Sequence, residues 1–120
     1  MPATTPSPRV GDVVEVGFVF RDKTNALTSP TAVTVEVYDE TGALAETFSQ
    51  TDPRVTLGAT IGTDLAAELG LTTAENTAGV GIVAVEITPD AAGQWQVYLA
   101  GTATAIGADT SVFTVRAKRD

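Results

Sequence analysis

The strongest constraint on this chain is a period of two. Across residues 13–20, Val14, Val16, Phe18 and Phe20 fall on one face, with Glu15 and Gly17 on the other. Val33, Val35 and Val37 alternate in the same way with Thr34, Glu36 and Tyr38. Val83, Val85 and Ile87 alternate with Ala84 and Glu86, and Trp95, Val97 and Leu99 with Gln94, Gln96 and Tyr98. Phe113 and Val115, set against Val112, Thr114 and Arg116, close the series. Side chains change sides at every residue only along an extended strand, so these runs build sheets rather than amphipathic helices. Abundant Thr and Val, with Lys at only two positions, favour the same pleated surfaces.

Turn chemistry separates the runs. Arg21-Asp22-Lys23-Thr24-Asn25 reads as a turn, and Asp39-Glu40-Thr41-Gly42 places Asp first and Gly fourth, as a type I turn prefers. Leu44-Ala45-Glu46-Thr47-Phe48 then returns as a hairpin partner, and Pro89-Asp90 stops the strand that ends at Ile87. Short strands with turn signals about every ten residues predict an all-β antiparallel sandwich, each sheet having one packed and one wet face. Trp95, in phase with Val97 and Leu99, belongs in the core with its indole N–H on a backbone carbonyl. Tyr98 falls on the opposite, partly exposed phase.

Residues 51–79 break the rhythm. Asp64-Leu65-Ala66-Ala67-Glu68-Leu69-Gly70 carries the one helical signal: a capping Asp, leucines four apart and a Gly stop. The flanking Gly58, Gly62 and Thr72-Thr73 read as loop. So long a connection often serves binding, and its apolar residues Leu57, Ile61, Leu65, Leu69 and Leu71 are the candidate interface. They either pack on the domain's own flank or are held out to a partner.

The chain has 120 residues, no cysteine and no histidine, and 7 basic against 15 acidic side chains, for a net charge of −8. The length suits one domain. Disulfides, thiolate or imidazole metal sites and His-dependent triads are excluded outright. A sequence pI near 4.3 sets the surface against phosphate backbones, so direct nucleic-acid binding is not expected. No run reaches the ~20 apolar residues of a membrane span, and no membrane partner is expected. The opening Met1-Pro2-Ala3-Thr4-Thr5-Pro6-Ser7-Pro8 lacks the basic and apolar regions of a signal peptide and suits an extended arm. The expected organisation is a flexible Pro-rich arm over 1–9, one sandwich over 10–117, and a tail over 118–120.

Chemical motifs are weak. Gly79-Val80-Gly81-Ile82-Val83-Ala84 has the letters of a dinucleotide fingerprint, but a strand pattern follows where a helix is required. Glu36 and Glu86 are the carboxylates that a glycosidase-like pair would use, with no aromatic sugar platform evident beside them. Asp109-Thr110-Ser111 is a faint, single likeness to an aspartic-protease turn. Calcium on loop oxygens of Asp22, Asp39 or Asp90 lacks a dense Asp-x-Asp pattern. No catalytic residue, metal ligand or cofactor is assigned.

One resemblance spans roughly residues 10–50 and 80–117. Gly11-Asp12-Val13-Val14, Phe18-Val19-Phe20-Arg21-Asp22, Pro30-Thr31-Ala32-Val33-Thr34-Val35 and Asp39-Glu40-Thr41-Gly42 come in an order that resembles immunoglobulin-like virion proteins of tailed bacteriophages. So do Thr88-Pro89-Asp90-Ala91-Ala92-Gly93-Gln94-Trp95, Gly101-Thr102-Ala103 and Ser111-Val112-Phe113-Thr114-Val115-Arg116. The run from Asp90 to Trp95 resembles the corner before the penultimate strand of immunoglobulin-like domains, where Tyr is the usual aromatic. The resemblance implies an immunoglobulin-like sandwich of about seven strands, to which the residues themselves add one short helix in the mid-chain connection. It also implies a non-enzymatic virion protein assembled in the bacterial cytoplasm, decorating the capsid ahead of a neck or tail position. Its partners would be major capsid or neck proteins, or further copies of itself. Residues 51–79 are longer than the connection in such relatives. The alternatives are an immunoglobulin-like binding module of a bacterial surface protein and, further behind, a carboxylate-pair hydrolase.

Overall fold

Alternation becomes register in the computed structural model, which describes residues 2–4, 8–101 and 107–115. The chain runs β1 (Pro2–Thr4), β2 (Val14–Val19), β3 (Val33–Tyr38), β4 (Leu44–Ser49), β5 (Val55–Leu57), α1 (Thr63–Glu68), α2 (Thr73–Ala78), β6 (Ile82–Ile87), β7 (Gly93–Gly101) and β8 (Gly107–Val115). One sheet has the order β1-β2-β6-β5 and the other β4-β3-β7-β8, with every neighbouring pair antiparallel. Lettered from β1, these are A-B-E-D and C′-C-F-G, the strand order of an immunoglobulin-like sandwich.

The core lies between the sheets. Val14 faces Ile87, Val16 faces Val85 and Phe18 faces Val83 in the first sheet. Val35 faces Leu99 and Val37 faces Val97 in the second. All ten are at most 3 % exposed, so the inward phase of each run is the buried one. Trp95, 5 % exposed, donates its indole N–H to the Ala91 carbonyl at 3.0 Å. This is a corner of the kind that Tyr makes at the start of strand F, with buried Val97 two residues on, where antibodies place a cysteine.

Several expectations are corrected. Pro2–Thr4, assigned to a flexible arm, pairs with β2 as an edge strand, where a proline's missing N–H costs no ladder bond. Residues 5–7 and the 118–120 tail lie outside the described residues. The excursion over 51–79 begins with a strand, since Val55 pairs with Val85 and Leu57 with Val83. Asp64 does not cap α1: the N-cap is Gly62, without a side-chain cap, and Asp64 sits in the first turn. The Gly stop does form. Gly70, at φ +74°, follows C-cap Leu69, with Gly70 N–H on the Ala67 carbonyl and Leu71 N–H on that of Ala66. That pair of bonds is a Schellman motif. Thr72-Thr73 starts a second helix rather than a loop. In it Thr72 Oγ1 accepts from Glu75 N–H at 3.1 Å while the Glu75 carboxylate accepts from Thr72 N–H at 2.8 Å.

The largest correction concerns the wet face. Ile82 and Ala84 point away from the core yet are 0 % and 8 % exposed. They join Ala59, Ile61, Leu65, Ala66, Leu69 and Leu71 in a second cluster, with Val19 and Leu27 at its margin. The mid-chain excursion is therefore a third layer laid over the outer face of the β1-β2-β6-β5 sheet. Gly17 makes room for it, since a Cβ there would meet Ile61 Cδ1 at 3.3 Å and Leu69 Cδ1 at 3.5 Å.

Candidate functional site

The candidate interface residues are thus spoken for. Ile61, Leu65, Leu69 and Leu71 are between 5 % and 9 % exposed, and Leu57 packs against the main core. Ile61, Leu65, Leu69 and Leu71 pack on the domain's own flank, over the outer face of the sheet, while Leu57 belongs to β5 itself. Asn76 of α2 secures the layer: its Oδ1 accepts from Ile61 N–H and its Nδ2 donates to the Ile61 carbonyl, both at 2.9 Å.

The two glycines of the dinucleotide-like run serve the backbone. Gly79, at φ +75°, closes α2, and a Cβ on it would lie 2.5 Å from the Gly58 carbonyl oxygen. Gly81, at φ +76°, leads into β6 against the Phe20 carbonyl, where a Cβ would come within 2.7 Å. No helix follows to hold a pyrophosphate, because β6 does.

Glu36 and Glu86 do not form a pair. Glu36 lies on β3, on the phase opposite to buried Val35 and Val37, and Glu86 lies on β6, opposite to buried Val85 and Ile87. They occupy the outer faces of different sheets, so the whole sandwich separates them and no glycosidic bond fits between them. Asp109, Thr110 and Ser111 belong to β8, in register with Leu99, Tyr98 and Val97, rather than to a turn.

The loop carboxylates are committed to their own turns. Asp22 Oδ1 accepts from Thr24 N–H, Thr24 Oγ1 and Ala26 N–H at 2.8, 2.6 and 3.1 Å. Asp39 Oδ1 does the same with Thr41 N–H, Thr41 Oγ1 and Ala43 N–H at 2.9, 2.6 and 3.2 Å. The threonine hydroxyl bond is the main reason that each carboxyl titrates below its ordinary 3.8, with the backbone donors adding to it. At the fifth position of 21–25 and the fourth of 39–42, Asn25 (φ +69°) and Gly42 (φ +83°) take the left-handed conformation that completes a bulged three-residue hairpin loop. The two turns are one device used twice, Asp-x-Thr-Asn/Gly-Ala.

Two concave features stand out among the described residues. A cavity of about 350 Å³ opens at one end of the sandwich, with Val37, Ile87, Pro89 and Trp95 inside and Asp39, Glu40, Glu46 and Asp90 around it. Glu46 is engaged elsewhere: Arg54 Nη1 contacts both its oxygens at 2.9 Å, while Nε and Nη2 hold Asp52 at 3.0 and 3.1 Å. That guanidinium also lies 4.0 Å from the centre of the Phe48 ring. It joins the edge strand of one sheet to the approach to β5 in the other.

The second is a shallow groove of about 390 Å³ on the outer face of the β4-β3-β7-β8 sheet, lined by Glu36, Tyr38, Gln96 and Tyr98. Register places Glu36 opposite Tyr98 and Tyr38 opposite Gln96. The aromatics therefore stand on one diagonal of the four and the polar groups on the other. So Glu36 does have aromatic neighbours, contrary to the reading from sequence. Alternation alone puts each of these residues on an outward phase; only the pairing of β3 with β7 makes them one site. This face carries no covering layer among the described residues.

No known protein family, curated protein or solved structure matches the chain.

Proposed function

We propose that this protein is a non-enzymatic structural module of a tailed-phage virion, assembled in the host cytoplasm and displayed on the capsid surface. The observation that carries the reading is the corner at Trp95. The run from Asp90 to Trp95, part of one of the segments that resemble phage virion proteins and itself like the corner of immunoglobulin-like domains generally, occupies the turn into strand F, and its indole bonds Ala91. Two other resembling segments also fall on framework: the β3–β4 turn at Asp39 and the start of β2 after Gly11-Asp12. A rigid sandwich with a net charge of −8 suits repeated display, since like charge keeps copies soluble and apart. Its partners on this reading are capsid or neck proteins, or further copies of itself.

Immunogold electron microscopy of particles with antibody to this chain tests the proposal. Label distributed over heads is the expected result. Label at one vertex or along the tail moves the protein to the neck or tail. Unlabelled particles beside a labelled cell envelope overturn the virion reading in favour of a bacterial surface module.

A further inference from the structure

We propose that the groove formed by Glu36, Tyr38, Gln96 and Tyr98 receives an arginine side chain from a partner protein. The inference rests on reading the chain as an assembly module and specifies the chemistry of its contact. Glu36, Tyr38 and Tyr98 are half-buried and Gln96 is exposed. Glu36 makes no hydrogen bond or ion pair with any described residue. A carboxylate only accepts, so its ligand must donate. Tyrosine faces carry the negative side of the ring quadrupole, so both aromatics and the carboxylate attract a cation. A planar guanidinium meets all three: it stacks on an aromatic face, forks onto a carboxylate and sheds water more readily than an ammonium. Gln96 adds an amide oxygen that accepts a further N–H.

The fold already contains a filled version of this arrangement. On the inward phase of β4, Glu46 and Phe48 stand two residues apart beside Arg54, whose guanidinium lies over the ring and whose Nη1 contacts both Glu46 oxygens, while its Nε and Nη2 fork onto Asp52. On the outward phase of β3, Glu36 and Tyr38 stand two residues apart with Tyr98 as a second ring. The charge balance points to an external donor, because an excess of acidic groups draws the chain toward basic surfaces. Tyrosine and arginine are also the side chains that most often anchor protein interfaces.

The chain has two tyrosines, Tyr38 and Tyr98, so their ring signals in NMR report on the groove alone. The full-length protein is titrated with N-acetyl-arginine amide through the millimolar range expected of a single anchoring side chain, and in parallel with the uncharged N-acetyl-citrulline amide. The expected result is saturable movement of both tyrosine signals with the arginine compound. Glu36→Gln weakens that binding on the order of tenfold, and Glu86→Gln, on the opposite outer face, leaves it unchanged. Both positions are strand surface sites, and an unchanged amide spectrum verifies folding. Equal movement with citrulline, an unaltered response in Glu36→Gln, or no movement over that range overturns the proposal. So does saturable movement with a neutral sugar but not with arginine, which reassigns the groove to a glycan. Particle labelling and this titration fail independently, so the site and the location are judged apart.

Discussion

Single residues hold this sandwich together at its corners. Trp95 fills the core at the start of β7 and pins the preceding turn through Ala91. Trp95→Phe keeps an aromatic ring but loses volume and leaves the Ala91 carbonyl without its donor. Urea unfolding should show a loss of about 2 kcal/mol. Gly79 is bound by two independent constraints, a left-handed φ and the Gly58 carbonyl beside it. Gly79→Ala should cost at least about 2 kcal/mol in the same measurement, against little for an alanine at an exposed, right-handed position. Of these residues, Trp95 was legible beforehand, because its phase and the turn before it are local. The constraint on Gly79 was not, because Gly58 lies 21 positions away and meets it only through folding.

At the scale of elements, the excursion is the feature that distinguishes this fold. Its helices have only six residues each, too short to persist alone: α1 owes its stability to the face it covers with Leu65 and Ala66, and α2, which buries no residue, to its capping box and to the bonds of Asn76 with Ile61. Leu69→Ala removes a side chain 6 % exposed that reaches Gly17, and a loss of about 3 kcal/mol is expected from chemical denaturation. Thr72→Ala removes the side-chain half of a capping box on an exposed helix and should cost about 1 kcal/mol. If the layer only rested on a sandwich that was complete without it, Leu69→Ala would behave no worse than Thr72→Ala. The pattern Thr72-x-x-Glu75, followed by Gly79, announces α2 in sequence. It is overlooked when paired threonines and nearby glycines are taken as loop. No comparable signal announces β5, a strand of three residues that exists because Val55 and Leu57 find Val85 and Val83.

For the molecule as a whole, acid is the revealing variable. Asp22 and Asp39, held low by threonine hydroxyls, are joined by Asp52, held low by hydrogen bonds from Arg54. Glu75 is held low by Thr72, through its backbone N–H first. Each carboxyl binds its proton less readily folded than unfolded. Its stabilisation is therefore complete above the ordinary values of 3.8 and 4.5 and is lost as the pH falls through the lower folded values. The urea midpoint should stay flat from pH 7 to about 5 and decline below about pH 4. A decline already under way at pH 6 would require a different titrating group, and the chain has no histidine to supply one. The sequence pI near 4.3 adds a solubility minimum in the same acid range, so unfolding and precipitation must be followed by separate signals.

The period of two determined by itself that β2, β3, β6 and β7 are strands, which side of each faces the inter-sheet core, and that Trp95 enters it. These outcomes depend on alternation and turn residues that act over a few positions. Tertiary structure decided what alternation cannot express. It chose which strands are neighbours, and so gathered Glu36, Tyr38, Gln96 and Tyr98 from positions 60 residues apart into one groove. It also decided that among the described residues one outward face carries no covering layer, while part of the other, at Gly17, Ile82 and Ala84, lies under the 59–71 layer. Ile82 and Ala84 have the same phase in β6 as exposed Glu86, and phase alone does not say which of the three is covered. What separates them is a distant segment whose leucines are removed from water only by lying there, a gain that arises when the surfaces meet.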